Sequence, residues 1–356
     1  VIPVRLERGE VTGRPPAEMA GELQGLVLVE GVGREPGEKI RKGTTLDREA
    51  AERLLGFEWD ELHLLRPEAG DVHEEEAGRR LARAVAGKGM GAGEFAGGAW
   101  PLRARSRGIL EVAVPALEAV NALEGLTVFT HLDGRIVDRG EEVARAKVIP
   151  FLVPGERVRG AEERAKEAGN EGRGVLSVRP FRSLRVGAVV QESLASASAE
   201  RFRDAMATKL GWFGAEGLEP RFVEPEVTAV ARASEELLEE GAQLLLVAGA
   251  RAMDPLDPAF GALDRMGAER VRHGVPAHPG SLLWVARIEG VPVVGVPSCG
   301  LFSRATVFDL VLARILAGLP VEAADLARMG HGGFLTPEMN WRFPAYREEG
   351  RRGEVG

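Results

Sequence analysis

Apolar residues in the first 150 positions come in short runs of four to six, set between Gly and Pro: Leu26 to Val29, Leu62 to Leu65, Leu110 to Val114, Leu126 to Phe129 and Val148 to Val153. Short apolar runs bounded by turn residues predict strands. Two stretches follow a helical period instead. From Asp47 to Leu55, the residues Leu46, Ala50, Ala51 and Leu54 share one face, with Asp47 in the first turn. From His73 to Ala86, Ala77, Leu81, Ala82 and Val85 do the same. Glu74, Glu75 and Glu76 then occupy the first turn of that second helix, where carboxylates favour the positive end of the helix dipole. That placement outweighs a metal site. Between Pro154 and Gly174 the apolar content falls away, leaving a short charged helical stretch at 161–168, and a domain boundary is expected there.

Beyond Val175 strands and helices alternate. Leu184 to Val190 is a continuous apolar strand, followed by a helix carrying Phe202, Met206 and Leu210. A short strand at Arg221 to Val223 and a helix from Glu226 to Gly241 come next, then the apolar strand Leu244 to Val247. After a Pro-rich loop and the segment Val271 to Pro276, a strand at Pro292 to Val296 leads into a helix over 304–317 bearing Val307, Phe308, Val311, Leu312 and Ile315. Strands apolar on both faces, alternating with helices, are what a parallel sheet covered on each side requires. The expected fold is an α/β three-layer domain with a mostly parallel sheet at 181–330, preceded by a strand-rich α+β domain at 1–155. A linker leading into the first strand is expected at 156–180, and a partly unordered tail at 331–356.

A chain of 356 residues matches two domains of roughly 150 residues each. Hydrophobic residues at 44% and charged residues at 28% are too balanced for extended disorder. No apolar run approaches the roughly 20 residues that span a bilayer, and Val1 to Glu7 lacks a basic segment followed by an apolar one. A cytoplasmic protein without membrane contact is expected. The single cysteine, Cys299, excludes an intramolecular disulfide and any cysteine-based zinc or iron–sulfur framework. A net charge of −8, with Arg interleaved among Glu and Asp, argues against a nucleic-acid partner.

Ligands of such sheets bind beyond the carboxyl ends of the strands, so the loops at 191–198, 224–226, 249–258 and 297–304 hold the candidate chemistry. The loop Ser298-Cys299-Gly300-Leu301-Phe302-Ser303-Arg304 leads from a strand to a helix N-terminus, whose free amides suit a phosphate, with Ser303 and Arg304 as further donors. The competing reading is an ordinary N-cap by Ser303 and a solvated arginine. Asp254 and Asp257, each followed by proline, are of a type to hold Mg²⁺ beside a phosphate, or to form turns. His273 and His278 lie in a Pro- and Gly-rich stretch unsuited to zinc, and Pro279-Gly280 reads as a turn lying close to a ligand. Cys299 has no base in sequence relation to it and reads as an inert small residue. Gly89 to Gly93 follows a helix, not a strand, so it is not a dinucleotide loop. A P-loop lysine and a Gly-x-Ser-x-Gly elbow are both lacking.

In order, these segments resemble the molybdopterin-binding domain of the MoeA-like and gephyrin-like proteins of molybdenum-cofactor biosynthesis. The likeness runs over roughly 180–330 and is carried by the strand ending at Glu192, Val223 to Glu226, Leu244 to Gly249, Met253-Asp-Pro-Leu-Asp257, Gly274 to Gly280, Gly290 to Pro297 and Thr306 to Asp309. The resemblance implies that Gly249, Pro279, Gly280, Ser298, Cys299, Gly300, Ser303 and Arg304 surround a pterin phosphate. It further implies that Asp254 and Asp257, with Glu192 nearby, hold Mg²⁺ in a catalytic role. Three positions depart from the family: Ala248-Gly249 replaces Gly-Gly, Pro297-Ser-Cys-Gly300 replaces Pro-Gly-Asn-Pro, and Ser281 replaces a lysine. The N-terminal half also lacks the molybdotransferase signature. The function implied is binding of molybdopterin or its nucleotide form in cofactor biosynthesis or delivery, or a divergent molybdopterin molybdotransferase. A nucleotide pyrophosphatase on the same fold and a non-catalytic assembly chaperone for a molybdoenzyme client are the alternatives. Homo-oligomerisation is likewise an expectation by resemblance.

Overall fold

The computed structural model describes residues 1–33, 38–168, 174–191, 196–296 and 306–346. The chain divides into two compact units, one of 1–105, 110–133 and 139–178, the other of 106–109, 134–138 and 179 onward. Among the described residues no helix is long and apolar enough to cross a membrane.

The first unit is built from small antiparallel sheets. Ile2–Glu7, Glu61–Arg66 and Val27–Leu28 form one, with Glu61–Arg66 central, while Met90–Ala92, Trp100–Ala104, Glu142–Val148 and Leu126–Thr130 form another in that order. The helix Arg48–Gly56 starts where Asp47 accepts a hydrogen bond from the Ala50 amide at 2.7 Å. The helix Glu74–Val85 is capped by His73, whose Nδ1 accepts from the Glu75 amide while Nε2 donates to the Gly43 carbonyl at 2.7 Å. The segment expected to begin a linker is a further helix, Gly155–Ala168, belonging to this unit. Its buried face consists of Val158, Ala161 and Ala165, and Glu162 pairs with Arg80 on the neighbouring helix at 2.7 Å. A low apolar count misleads here because small residues at helical spacing suffice where two helices lie close.

The second unit holds a seven-stranded sheet. In chain order its elements are β1 (Arg185–Val190), α1 (Ser196–Phe213), β2 (Glu216–Gly217), β3 (Arg221–Phe222), α2 (Val227–Glu239), β4 (Leu244–Ala248), α3 (Pro258–Arg265), β5 (Glu269–His273), β6 (Trp284–Ile288), β7 (Val291–Val296), α4 (Val307–Leu316) and α5 (Ala323–Arg328). The sheet order is β2-β1-β4-β7-β6-β5, with β3 continuing the line of β2 along β1. β1, β4 and β7 run parallel, whereas β6 and β5 are antiparallel. Side chains alternate between two apolar layers. Val186, Ala188 and Val190 with Leu244, Leu246 and Ala248 face α1 and α4. Val189, Leu245, Val247 and Val293 face α2 and α3. At Gly295 a Cβ would fall within 2 Å of the Trp284 ring on the adjacent strand, so only glycine lets that indole lie flat across β7.

On the α1/α4 side the core contains a charge. Lys209, buried on the same helix α1 that carries Phe202, Met206 and Leu210, donates to Asp309 Oδ1 at 2.6 Å, and Asp309 is wholly buried. Tyr346 donates its hydroxyl to the same oxygen and lies under the Lys209 ammonium, which is 4.7 Å from the ring centroid. The segment from 331, expected to be partly unordered, is thus anchored as far as Tyr346, with Leu335 and Phe343 also set against the core.

Burial, then the charge of Asp309 and the hydrogen bond to it, push the Tyr346 phenol far above its ordinary range. A group whose pKa is raised by folding stabilises fully below its unfolded value and loses that contribution as pH climbs through the raised one. The window therefore opens near pH 10, with a slope of about 1.4 kcal/mol per pH unit. Tyr346 is the sole tyrosine, so tyrosinate absorbance reports it alone. At about pH 11 the folded protein is expected to show no tyrosinate band, and Tyr346→Phe to lose this part of the alkaline decline. Reversible ionisation near pH 10 in the folded protein would contradict the assignment.

Candidate functional site

Three loops leave the sheet side by side. Val190, Ala248 and Val296 are the last residues of β1, β4 and β7, and Ala248 pairs in register with both of the others. The loops beginning at Gln191, Gly249 and Pro297 therefore start from one edge, next to one another. From β1 the chain turns outward to β2 and β3, and from β4 it turns the other way, so the sheet's switch point lies between β1 and β4. That crevice is where open α/β sheets bind ligands.

The 249–258 loop is organised by Asp257. Its Oδ1 accepts from the Ala259 amide at 2.9 Å and from Gln191 Nε2 at 2.8 Å, while Oδ2 accepts from the Arg251 amide at 2.7 Å. Asp257 is the N-cap of α3 and Pro258 its first residue, a pairing suited to a helix start because proline lacks the amide that would go unused there. The chain turns back on itself twice, with the Asp254 amide on the Arg251 carbonyl at 2.8 Å and the Asp257 amide on the Asp254 carbonyl at 3.1 Å. Phe260 makes tilted ring contacts with both Trp284 and His273, and His273 Nε2 donates to the Ala252 carbonyl of the loop at 2.6 Å. Gly249 opens the loop at φ +84°, in the left-handed region that favours glycine.

The two aspartates have different fates. Asp254 is partly exposed and its Oδ1 accepts from the Leu256 amide at 3.0 Å, forming a local turn. Asp257 is buried with both oxygens engaged. Among the described residues no three His, Cys, Asp or Glu side chains are grouped to hold a metal ion. Of the expected Mg²⁺ ligands, Asp257 is thus engaged as a helix cap and Asp254 in a local turn. Glu192, the third expected ligand, lies outside the described residues.

The Pro279-Gly280 turn reaches the start of α4. The Val307 amide donates to the Pro279 carbonyl at 3.1 Å, and a Cβ on Gly280, at φ +108°, would come within 2.6 Å of Val307 Cγ1. Thr306 caps α4 by accepting from the Phe308 amide at 3.2 Å, and Asp309 returns the contact by accepting from the Thr306 amide at 2.8 Å. The Asp309 amide in turn donates to the Thr306 carbonyl at 3.0 Å. The amides of residues 306 to 309 are therefore all occupied. At the observed start of α4 a capping box and the Pro279 carbonyl take these amides. Ser298, Cys299, Gly300, Ser303 and Arg304 lie outside the described residues.

Pro279 and Gly280 thus meet the start of α4, while Gly249, Asp254 and Asp257 share the loop after β4. Sequence reasoning missed Gln191 and Lys209. Gln191 was legible only as the first polar residue after an apolar strand, and Lys209 only as a cation within a buried helical stripe.

No family model matches the chain, and no curated protein matches it. Among solved structures the chain is similar to the crystal structure of the molybdopterin biosynthesis MoeA protein from Pyrococcus horikosii. The two share 14% identity at a TM-score of 0.30, over 69% of this chain and 79% of that one. This is a weak resemblance at the level of fold, and it assigns no residue a role.

Proposed function

We propose that the protein binds a molybdopterin-type ligand, a pterin carrying a phosphate, at the carboxyl edge of the second unit's sheet, and serves molybdenum-cofactor maturation or delivery. The observation supporting this reading is the in-register departure of the loops after β1, β4 and β7 from one edge, beside the switch point. The segments that resemble the molybdopterin-binding domain include β1, β4 and β7, from which those loops leave, and the Pro279-Gly280 turn. A molybdotransferase role would build on the same pocket, with molybdate meeting a ligand already held in place.

Native mass spectrometry of the purified protein with molybdopterin, under anaerobic conditions, tests the reading. At about 10 μM ligand, a concentration that populates sites of micromolar affinity, a one-to-one complex is expected. A spectrum of bare protein alone, with and without Mg²⁺, would reject it.

A further inference from the structure

Gln191 follows directly on β1 and is only 3% exposed. Half of its amide is used: Nε2 donates to Asp257 Oδ1 at 2.8 Å, while Oε1 has no hydrogen-bond partner among the described residues. The orientation of the amide follows from its neighbour. An ionised carboxylate only accepts, so the NH₂ must face Asp257, and a flipped amide would set two oxygens against each other. Asp257 cannot swing away to relieve this, being held by the Arg251 and Ala259 amides. Native structures seldom keep a buried acceptor unpaired without a use. This one stands at the carboxyl end of β1, joined through Asp257 to the loop after β4, at the switch point of the sheet.

We propose that Gln191 Oε1 is the acceptor for an exocyclic ligand amine, so that the site selects a heterocycle offering an amino donor over an isostere offering a carbonyl at that position. The inference rests on the reading of the carboxyl edge as the ligand cleft. The Asp257 carboxylate polarises the amide and strengthens Oε1 as an acceptor. A ligand carbonyl in the same place would leave Oε1 unpaired and facing another oxygen. Discrimination of about tenfold to a hundredfold follows from the loss of one buried hydrogen bond.

Calorimetric titration with two matched pairs of probes tests this on the full chain and on Gln191→Met. One pair is pterin-6-carboxylate and lumazine-6-carboxylate, which differ in an exocyclic amine replaced by a carbonyl. The other is AMP and IMP, which differ in the same sense on a purine. The wild-type protein is expected to prefer the pterin by about tenfold or more, and Gln191→Met to reduce that preference to within about twofold. The wild-type ratio needs no variant, so it stands even where the substitution disturbs folding. Preference for AMP over IMP, without pterin binding, would uphold the acceptor and reject the pterin reading. Equal binding within each pair in the wild type, or a preference that survives in a folded Gln191→Met, would overturn the acceptor. Failure of all four probes to bind would overturn both.

Discussion

Replacing Lys209 by methionine is expected to lower the unfolding free energy by about 3–5 kcal/mol, the cost of leaving one buried charge without its partner. Asp309 is fully buried, and its carboxylate accepts from Lys209, from the Tyr346 hydroxyl and from the Thr306 amide. Methionine keeps the apolar stem of the lysine, so the loss measures charge rather than volume. The carboxylate left behind is then the main source of destabilisation. Adding Asp309→Asn to Lys209→Met should recover about 1–2 kcal/mol, because a neutral amide can still accept from Thr306 while its burial costs far less. Urea unfolding of the two variants checks both statements. A loss below about 1 kcal/mol in Lys209→Met, the size of an exposed ion pair, would show that the pair does not hold the tail and α4 together.

Replacing Asp257 by alanine is expected to cost about 2–4 kcal/mol and, on the proposed function, to abolish retention of the molybdopterin-type ligand. The helix cap accounts for about 1 kcal/mol. The remainder comes from the hydrogen bonds of the Arg251 amide and the buried Gln191 amide to an ionised acceptor, each typically worth about 1.5–3 kcal/mol at most when neither donor can reach water. The Arg251 amide lies in an exposed loop and will find solvent, which keeps the total towards the lower values. Asp254→Ala serves as the comparison. Its partly exposed carboxylate accepts one local amide, so a change within about 0.5 kcal/mol is expected. Denaturation curves and native mass spectra of the two variants provide the measurement. Equal stabilities would mean that Asp257 does not organise the loop, whatever its part in binding.

The two Asp-Pro pairs of that loop show where sequence stopped being informative. Asp254-Pro255 and Asp257-Pro258 are chemically alike, and in sequence both read as turn formers or as a cation-binding pair. The second begins a helix, Pro258–Arg265, which the Pro-rich composition concealed. An aspartate before a proline is also the signature of an N-cap followed by the first helical residue, so the signal was present but shared with the turn reading. What separates the two is the approach of Gln191 from another strand, 66 positions away. Similarly, Lys209 belongs to a stripe with Phe202, Met206 and Leu210, yet its partner lies 100 positions on. The edge strand β5 was overlooked because Glu269–His273 is charged and largely exposed, as an edge strand tolerates.

Local patterning was sufficient for elements whose burial is written into their own residues. The run Leu244 to Val247 needs no context to be a strand, and it is one at Leu244–Ala248. The helix expected over 304–317 is present at Val307–Leu316, and the helix at Arg48–Gly56 begins at the cap that Asp47 suggested. Periodicity decides such segments because hydrophobic burial acts on each side chain separately and its spacing is set by the backbone. The chemistry of the carboxyl edge was decided elsewhere. Hydrogen bonds are directional and depend on which donor arrives. Only the folded sheet brings Gln191 to Asp257, and Pro279 to the first amide of α4, and so determines which polar groups are consumed by the protein.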